Sequence, residues 1–270
     1  VAGVNTFAPS PLTRWVIGIV VGVVFAVPFA ATVLFTLAPL PGTGALTPAR
    51  WLAVFDPAND AKYAPIWTGL GNSLSLAAVT VALVLFLFTP TMVLVALKFP
   101  QLRRGFEFLA LLPISIPAIV LVVGLAPIYL QIGRTLGTGA WTLAFAYGVL
   151  VLPFTYRSIQ ASIDAIDIRT LSEAARTLGA GWFAVLVRVI VPNLRQGLLA
   201  ASLISVAVVL GEFTIASLLN RQVLQTALVL INRQDAWAAA IFTLLALAFA
   251  FVLLLIIGRA GRLGVGRKNS

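Results

Sequence analysis

Apolar positions along the chain gather into long unbroken stretches, separated by short polar ones. Six stretches of about 20 apolar residues stand out, at about 15–38, 72–97, 109–130, 139–159, 197–218 and 236–257. Each is long enough for a helix that crosses a hydrocarbon core of roughly 30 Å at about 1.5 Å per residue. The runs are continuous rather than alternating, which argues against the strands of a membrane barrel. The pattern predicts an all-α, polytopic membrane protein with six transmembrane helices, forming one transmembrane domain over residues 1–270.

Prolines interrupt four of the runs: Pro28 in the first, Pro90 in the second, Pro113, Pro117 and Pro127 in the third, and Pro153 in the fourth. Each implies a bend and a backbone carbonyl released from the helical ladder, which in lipid needs a helix or a water-lined cavity as partner. That distribution fits a transporter better than an anchor. The stretch between runs one and two carries turn residues, including Pro39 and Pro41, with Trp51, Phe55 and Trp67 expected at the membrane interface and a short helix around "PARWLAVF". The first run is read as a retained span rather than a signal peptide. Neither an internal repeat nor a low-complexity linker is visible.

One segment breaks the pattern. Residues 164–192, with "EAARTLGAGWFAVLVRVIVP" at 173–192, are semi-polar and too mixed to span. Thr170 followed by Glu173 has the spacing of a capping box, and Asp167 is a second candidate cap. A short helix from about Thr170 to Leu178 is expected, ended by Gly179 and Gly181. Leu171, Ala174, Ala175 and Leu178 fall at helical spacing and predict one narrow apolar face. Pro192 is expected to bend the chain ahead of the fifth run. Such a helix either packs on a partner or rests on lipid headgroups.

Composition narrows the chemistry. The chain is 61% hydrophobic and 10% charged. No large soluble domain fits beside the runs. The formal net charge of +10 suggests nucleic acid in a soluble protein, but here topology accounts for it. With the amino terminus inside, the inner segments carry Arg14, Lys98, Arg103, Arg104, Arg157, Arg169, Arg176, Arg188, Arg195, Arg259, Arg262, Arg267 and Lys268, thirteen of the 18 basic residues. Arg50, Lys62, Arg134, Arg221 and Arg233 fall outside. The bias predicts both termini in the cytoplasm. The sequence has no cysteine and no histidine, which removes disulfides, thiolate metal sites and the commonest general base.

Glu173-Ala174-Ala175, three residues, Gly179, nine residues and then "VIVP" resembles the EAA motif of inner-membrane permease subunits of binding-protein-dependent ABC importers. Val189 and Val191 stand where that motif has isoleucine and leucine, and Pro192 is retained. "NSLSLAA", "LLPISIPAIVLVVGL", "LPFTYRSI" and "GEFTIASLL" extend the resemblance over roughly residues 68–257. It implies a type I importer permease fold of six helices in the bacterial inner membrane. It implies pairing with a second permease, expected to be a different one, with two cytoplasmic ABC ATPase subunits beneath and an extracytoplasmic solute-binding protein above. ATP and magnesium would belong to the ATPase subunits. This chain would bind no cofactor or metal, contact lipid but no nucleic acid, and do no catalysis. Thr170, Glu173, Ala174, Ala175, Leu178, Gly179 and Pro192 would belong to the ATPase-coupling element.

Ionisable groups inside a span are expensive and therefore informative. Glu212 lies roughly 24 Å along a helix counted from Gln196. It is a candidate for the translocation path or a subunit interface, with a structural ion pair as the alternative. Asn72, Ser73, Ser75, Ser115 and Tyr147 are further candidates for the path, although small polar residues more often bond between helices. The overall look is closest to the polyamine and phosphonate branch of the family, so a small amine is the expected cargo. Phosphonate, ferric ion, thiamine and oxyanions are the alternatives. Having one intramembrane acid argues against a secondary transporter coupled to ions.

Overall fold

A computed structural model of the chain describes residues 10–39 and 45–263; side chains are described through Arg259. Pro41, Arg262, Arg267 and Lys268, which entered the loop and charge arguments, lie outside the described side chains. No strand occurs among the described residues. The helices are α1 (Pro11–Thr36), α2 (Ala49–Val54), α3 (Asp60–Leu83), α4 (Thr89–Lys98), α5 (Arg103–Leu111), α6 (Ala118–Thr135), α7 (Ala144–Asp164), α8 (Ile168–Thr177), α9 (Trp182–Ala184), α10 (Val191–Asn193), α11 (Arg195–Gly211), α12 (Thr214–Leu218), α13 (Leu224–Gln234) and α14 (Ala236–Leu263). Five described helices are long and apolar enough to cross a membrane, and six when the bent pair Trp182–Asn193 and Arg195–Gly211 counts as one span.

Several boundaries differ from those expected. The second span begins at Asp60, not near residue 72, and runs to Lys98 through a π-helical turn at Val84–Phe88. Trp67 is therefore helical rather than part of a loop. The short helix expected around residues 48–55 is α2. The third run is not one helix: α5 ends at Leu111, a 3₁₀ turn covers Leu112–Ser115, and α6 starts at Ala118. Pro117 explains the break, because its ring disfavours the helical conformation in the residue before it; Ile116 is extended at φ −105°, ψ 119°. The fifth span stops at Gly211, α12 takes up the rest of the expected fifth run as a separate helix, and α13 follows where no helix was expected.

The described residues form two compact units, those up to 63 with 231–246, and 64–230 with those from 247 onward. In the first, Arg50 stacks on Trp237 with its guanidinium carbon 3.7 Å from the ring centroid, and Phe35 stacks on the same indole at 5.9 Å. Trp51 Nε1 donates to Thr36 Oγ1 at 3.0 Å. Lys62 and Tyr63 both donate to Asp235 Oδ2, at 2.8 and 3.3 Å, while Asp235 Oδ1 accepts the Ala238 amide. Burial pushes the Asp235 carboxyl up, but the Lys62 bond and charge with the Ala238 amide outweigh it and hold the group below the ordinary range. Helix α1 exposes apolar residues on every side, so lipid or a neighbouring subunit must cover it.

The second unit is built on α7 packed along α11. One apolar cluster gathers Leu76, Tyr129, Leu143, Tyr147, Val209, Leu210 and Ile215; another gathers Val84, Met92, Ile159, Ile163, Ile168, Val185, Ile190 and Leu194. The two helices touch at Gly197. A Cβ placed there would meet the Ser158 carbonyl oxygen at 2.7 Å, closer than atoms tolerate, and Ser158 Oγ donates to the Gly197 carbonyl at 3.1 Å. At the end of α7, Arg103 of α5 pairs with Asp164 at 2.7 Å.

Gly197→Ala forces this contact apart and is expected to cost about 1–3 kcal/mol, seen as a lower melting temperature of the purified protein in detergent. Gly18→Ala, where an added methyl meets nothing within 4 Å, leaves the melting temperature unchanged or raised.

Candidate coupling helix and intramembrane polar cluster

Helix α8 begins at Ile168, two residues before its expected start. Asp167 is its N-cap: Oδ1 accepts the Thr170 amide at 3.1 Å and Oδ2 accepts the Thr170 hydroxyl at 2.6 Å. The hydroxyl bond and then the amide bond hold the Asp167 carboxyl below its ordinary range. The Thr170–Glu173 capping box does not form, because Thr170 already lies inside the first turn and serves as the donor. Gly179 does end the helix. Its φ of +84° suits glycine, and Ala180 N–H reaches back to Ala175 O at 3.1 Å. Gly181 does not end α8; it is extended, at φ −68° and ψ 159°, and opens the next helical turn.

The expected apolar face of α8 is divided. Ile168 and Ser172 are buried, and Ala175 packs on the second cluster of the unit. Thr170, Glu173, Ala174 and Leu178 are exposed, Leu178 at 88%. Ala175 therefore turns toward its own unit, while Glu173, Ala174 and Leu178 form the free surface. Beyond Gly181 the chain enters α9, a π-helical turn at Val185–Ile190 and α10, which contains Pro192. The axes of Trp182–Asn193 and Arg195–Gly211 meet at 77°, so the bend expected ahead of the fifth run is present, at Leu194 two residues after Pro192.

Glu212 is not a helical residue. It sits in the break between α11 and α12 at φ −84°, ψ 131°. Its Oε1 and Oε2 accept the Ile215 amide at 3.0 and 3.1 Å, capping α12, and Oε2 accepts the Tyr147 hydroxyl at 2.6 Å. Tyr147 is fully buried, so it positions Glu212 rather than lining an opening. The carboxylate thus supplies the acceptor that a broken helix in an apolar setting needs.

Asn72 and Ser73 hold the segment that follows α12. Asn72 Nδ2 donates to Gln222 O at 2.8 Å, and Ser73 Oγ accepts the Leu224 amide at 2.9 Å. Ser75 bonds back to Asn72 O within its own helix. Ser115 is exposed at the end of the 3₁₀ turn, apart from this cluster. Three polar residues not expected from the sequence complete the network. Gln225 Nε2 donates to Leu210 O at 2.8 Å, Gln222 Nε2 to Pro65 O at 3.2 Å, and Tyr129 Oη both donates to Thr142 O and accepts the Ala146 amide. The signal for Gln225 was a lone amide inside the apolar run 223–231; nothing local marked Tyr129.

The spans, the capped α8 between the fourth and fifth of them, and the bend after Pro192 coincide with a match to a known family. Residues 90–263 match the family described as the inner membrane component of binding-protein-dependent transport systems. The chain belongs to that family. As such it is a multi-pass inner-membrane component, in agreement with the resemblance carried by the EAA motif. It is 28% identical to the probable ABC transporter permease protein y4fN of Sinorhizobium fredii (strain NBRC 101917 / NGR234), over 96% of this chain and 47% of that protein. The chain thus spans about half the length of that relative. It is 31% identical to the molybdenum transport system permease protein ModB of Azotobacter vinelandii, over 55% of this chain and 70% of the relative. It is 29% identical to the spermidine/putrescine transport system permease protein PotC of Escherichia coli (strain K12), over 37% of each.

Two outcomes test this geometry. Asp167→Ala is expected to speed amide exchange at Thr170 and Leu171, whereas Asp167→Asn, which keeps the amide acceptor, does so less. Because the folded carboxyl titrates below the unfolded value of about 3.9, the cap is complete at neutral pH and is lost as pH falls through the depressed folded value. Tyr147→Phe and Glu212→Gln are expected to be non-additive in stability by about 1–3 kcal/mol, as for a hydrogen bond to a charged group. Additive melting shifts would show the pair to be uncoupled.

Proposed function

We propose that this chain is a membrane-spanning subunit of an ATP-driven importer, with both termini in the cytoplasm and α8 seated in a cleft of a separate ATPase subunit. The observation that carries the reading is the form of α8. It is capped at Asp167, closed at Gly179 and fixed to its own unit by Ile168, Ser172 and Ala175, yet it holds Glu173, Ala174 and Leu178 outward. An exposed leucine and a small alanine beside a carboxylate suit close packing on a partner protein. A rigid mount passes the partner's movement to α10 and α11 through the 77° bend.

In this reading two ATPase subunits hydrolyse ATP, a second and different permease completes the pathway, and an external binding protein delivers the solute. This chain does no covalent chemistry; its exposed α1 is covered by lipid or the second permease.

The cargo is proposed to be a small oxyanion. Both oxygens of Glu212 accept hydrogen bonds from the chain itself, so it is not an open counter-charge for an amine. The molybdenum permease also aligns over more of this chain than the spermidine/putrescine permease does, 55% against 37%. The amine reading rests on the latter relative and needs Glu212 to leave Tyr147 during transport.

Affinity purification of the chain from its native membrane is expected to bring down a nucleotide-binding subunit. Leu178→Asp and Ala174→Trp should abolish that capture while leaving the melting temperature unchanged. A partner that stays attached to both variants would remove α8 from the coupling role. In uptake assays with radiolabelled molybdate and spermidine as test solutes, molybdate uptake is expected, with its KM unaltered by Glu212→Gln. Spermidine uptake that disappears in this variant would establish the amine reading.

A further inference from the structure

A cavity of about 460 Å³ lies within the first unit, where the end of α1, α2 and the starts of α3 and α14 meet. Arg50 and Asp235 both line it, together with Tyr63 and Trp237. The two charges stand differently. Asp235 is answered by Lys62, Tyr63 and the Ala238 amide. Arg50 has no carboxylate. Among the described residues, which include all 8 Asp and Glu of the chain, the ion pairs are Lys62–Asp235 and Arg103–Asp164.

What holds Arg50 is uncharged. Its Nη2 donates to Pro39 O at 3.3 Å, and its guanidinium carbon stands 3.7 Å from the Trp237 centroid. Phe35 stacks on the same indole. The Nε–H is buried and meets no acceptor. A carbonyl and a ring face fix the guanidinium in place and leave its charge unmatched. A half-buried cation in that state calls for an anion, and its planar fork of donors suits an oxyanion.

The walls narrow the choice of anion. Asp235 in the same lining repels a second negative charge, which favours a monoanion. The cavity has the size of a small-molecule site rather than of a bare inorganic ion. Trp237, Tyr63 and Ala53 offer surface to an organic remainder. Leu52 and Phe55 of α2 are exposed, and Trp51, Tyr63 and Trp237 gather at this end of the spans. Aromatic residues collected in this way mark the level of lipid headgroups, where the common monoanion is a phosphodiester.

We propose that this cavity binds an organic phosphodiester, with the phosphate at Arg50 and the alcohol remainder against Trp237 and Tyr63. Membrane headgroups and soluble glycerophosphodiesters carry the same group.

The test uses the full chain with whatever subunits accompany it, exchanged in detergent until no phosphorus remains. It is titrated calorimetrically with glycerophosphoglycerol, dihexanoyl phosphatidylglycerol and neutral dihexanoylglycerol. Saturable binding of a phosphate probe is expected, weakened about tenfold by Arg50→Gln, as for the loss of one hydrogen bond from a charged group. Equal affinity for the two phosphate probes supports the proposal with a soluble ester as ligand; binding of the lipid alone supports it with a headgroup as ligand. Ala53→Phe narrows the cavity from an exposed position and keeps the arginine. It should weaken binding while the ligand-free melting temperature holds, which keeps the test decisive should Arg50→Gln fail to fold. Equal binding of the neutral diacylglycerol overturns the proposal, as does unaltered affinity in the variants that fold. Absence of binding by both phosphate probes also overturns it, and leaves an acidic side chain of another protein as the anion that Arg50 meets.

Discussion

A backbone in hydrocarbon must satisfy its own hydrogen bonds, and several departures from a straight helix among the described residues are organised around that constraint. The chain departs often: at Val84–Phe88, at Leu112–Pro117, at Val185–Ile190 and at Glu212. A nearby acceptor or donor answers several of these departures. Thr89 returns its hydroxyl to Val84 O, Glu212 receives the Ile215 amide, and Tyr129 accepts the Ala146 amide while donating to Thr142 O. Asn72 and Ser73 do the same for the segment between α12 and α13, and Gln225 for Leu210 O at the end of α11. The polar residues inside the spans therefore serve first to permit irregular backbone.

That constraint shapes the functional reading. An intramembrane acid invites assignment as a solute contact, yet Glu212 is engaged by Tyr147 and by its own α12. Its energetic role is to make a broken helix tolerable, since an unmet amide in an apolar medium costs several kcal/mol. A broken helix near one end of a span, and a bent one near the other, give the span two places where its direction changes. The close approach at Gly197 lies between them and fixes α11 to α7, so movement at the bend is carried by packed side chains rather than lost in flexible chain.

The segment around α8 shows the same economy. Asp167 and Gly179 define where α8 begins and ends, and Ile168, Ser172 and Ala175 fix its inner face. What remains outward is small, partly apolar and carries one carboxylate. The neighbouring π turn at Val185–Ile190 leads from this element toward α11, and its Val185 and Ile190 pack in the same cluster as Ile168.

The sequence by itself determined the class of fold and the place of α8. Runs of apolar residues long enough to span leave no other stable form in lipid, and Asp167, Gly179 and Pro192 act through local backbone geometry that short-range sequence encodes. Composition likewise excluded cysteine and histidine chemistry outright. Only the tertiary structure decided what Glu212 and Tyr147 do, because a hydrogen bond between residues 65 apart depends on how α7 packs on α11. The same holds for the division of the α8 face, where Ala174 and Ala175 are equivalent in sequence and differ only in what stands beside them. Broken spans were blurred for a related reason: hydrophobicity reports the preference for lipid, which is the same on both sides of Ile116 and of Glu212, while the break is set by one proline ring in the first case and by distant side-chain partners in the second.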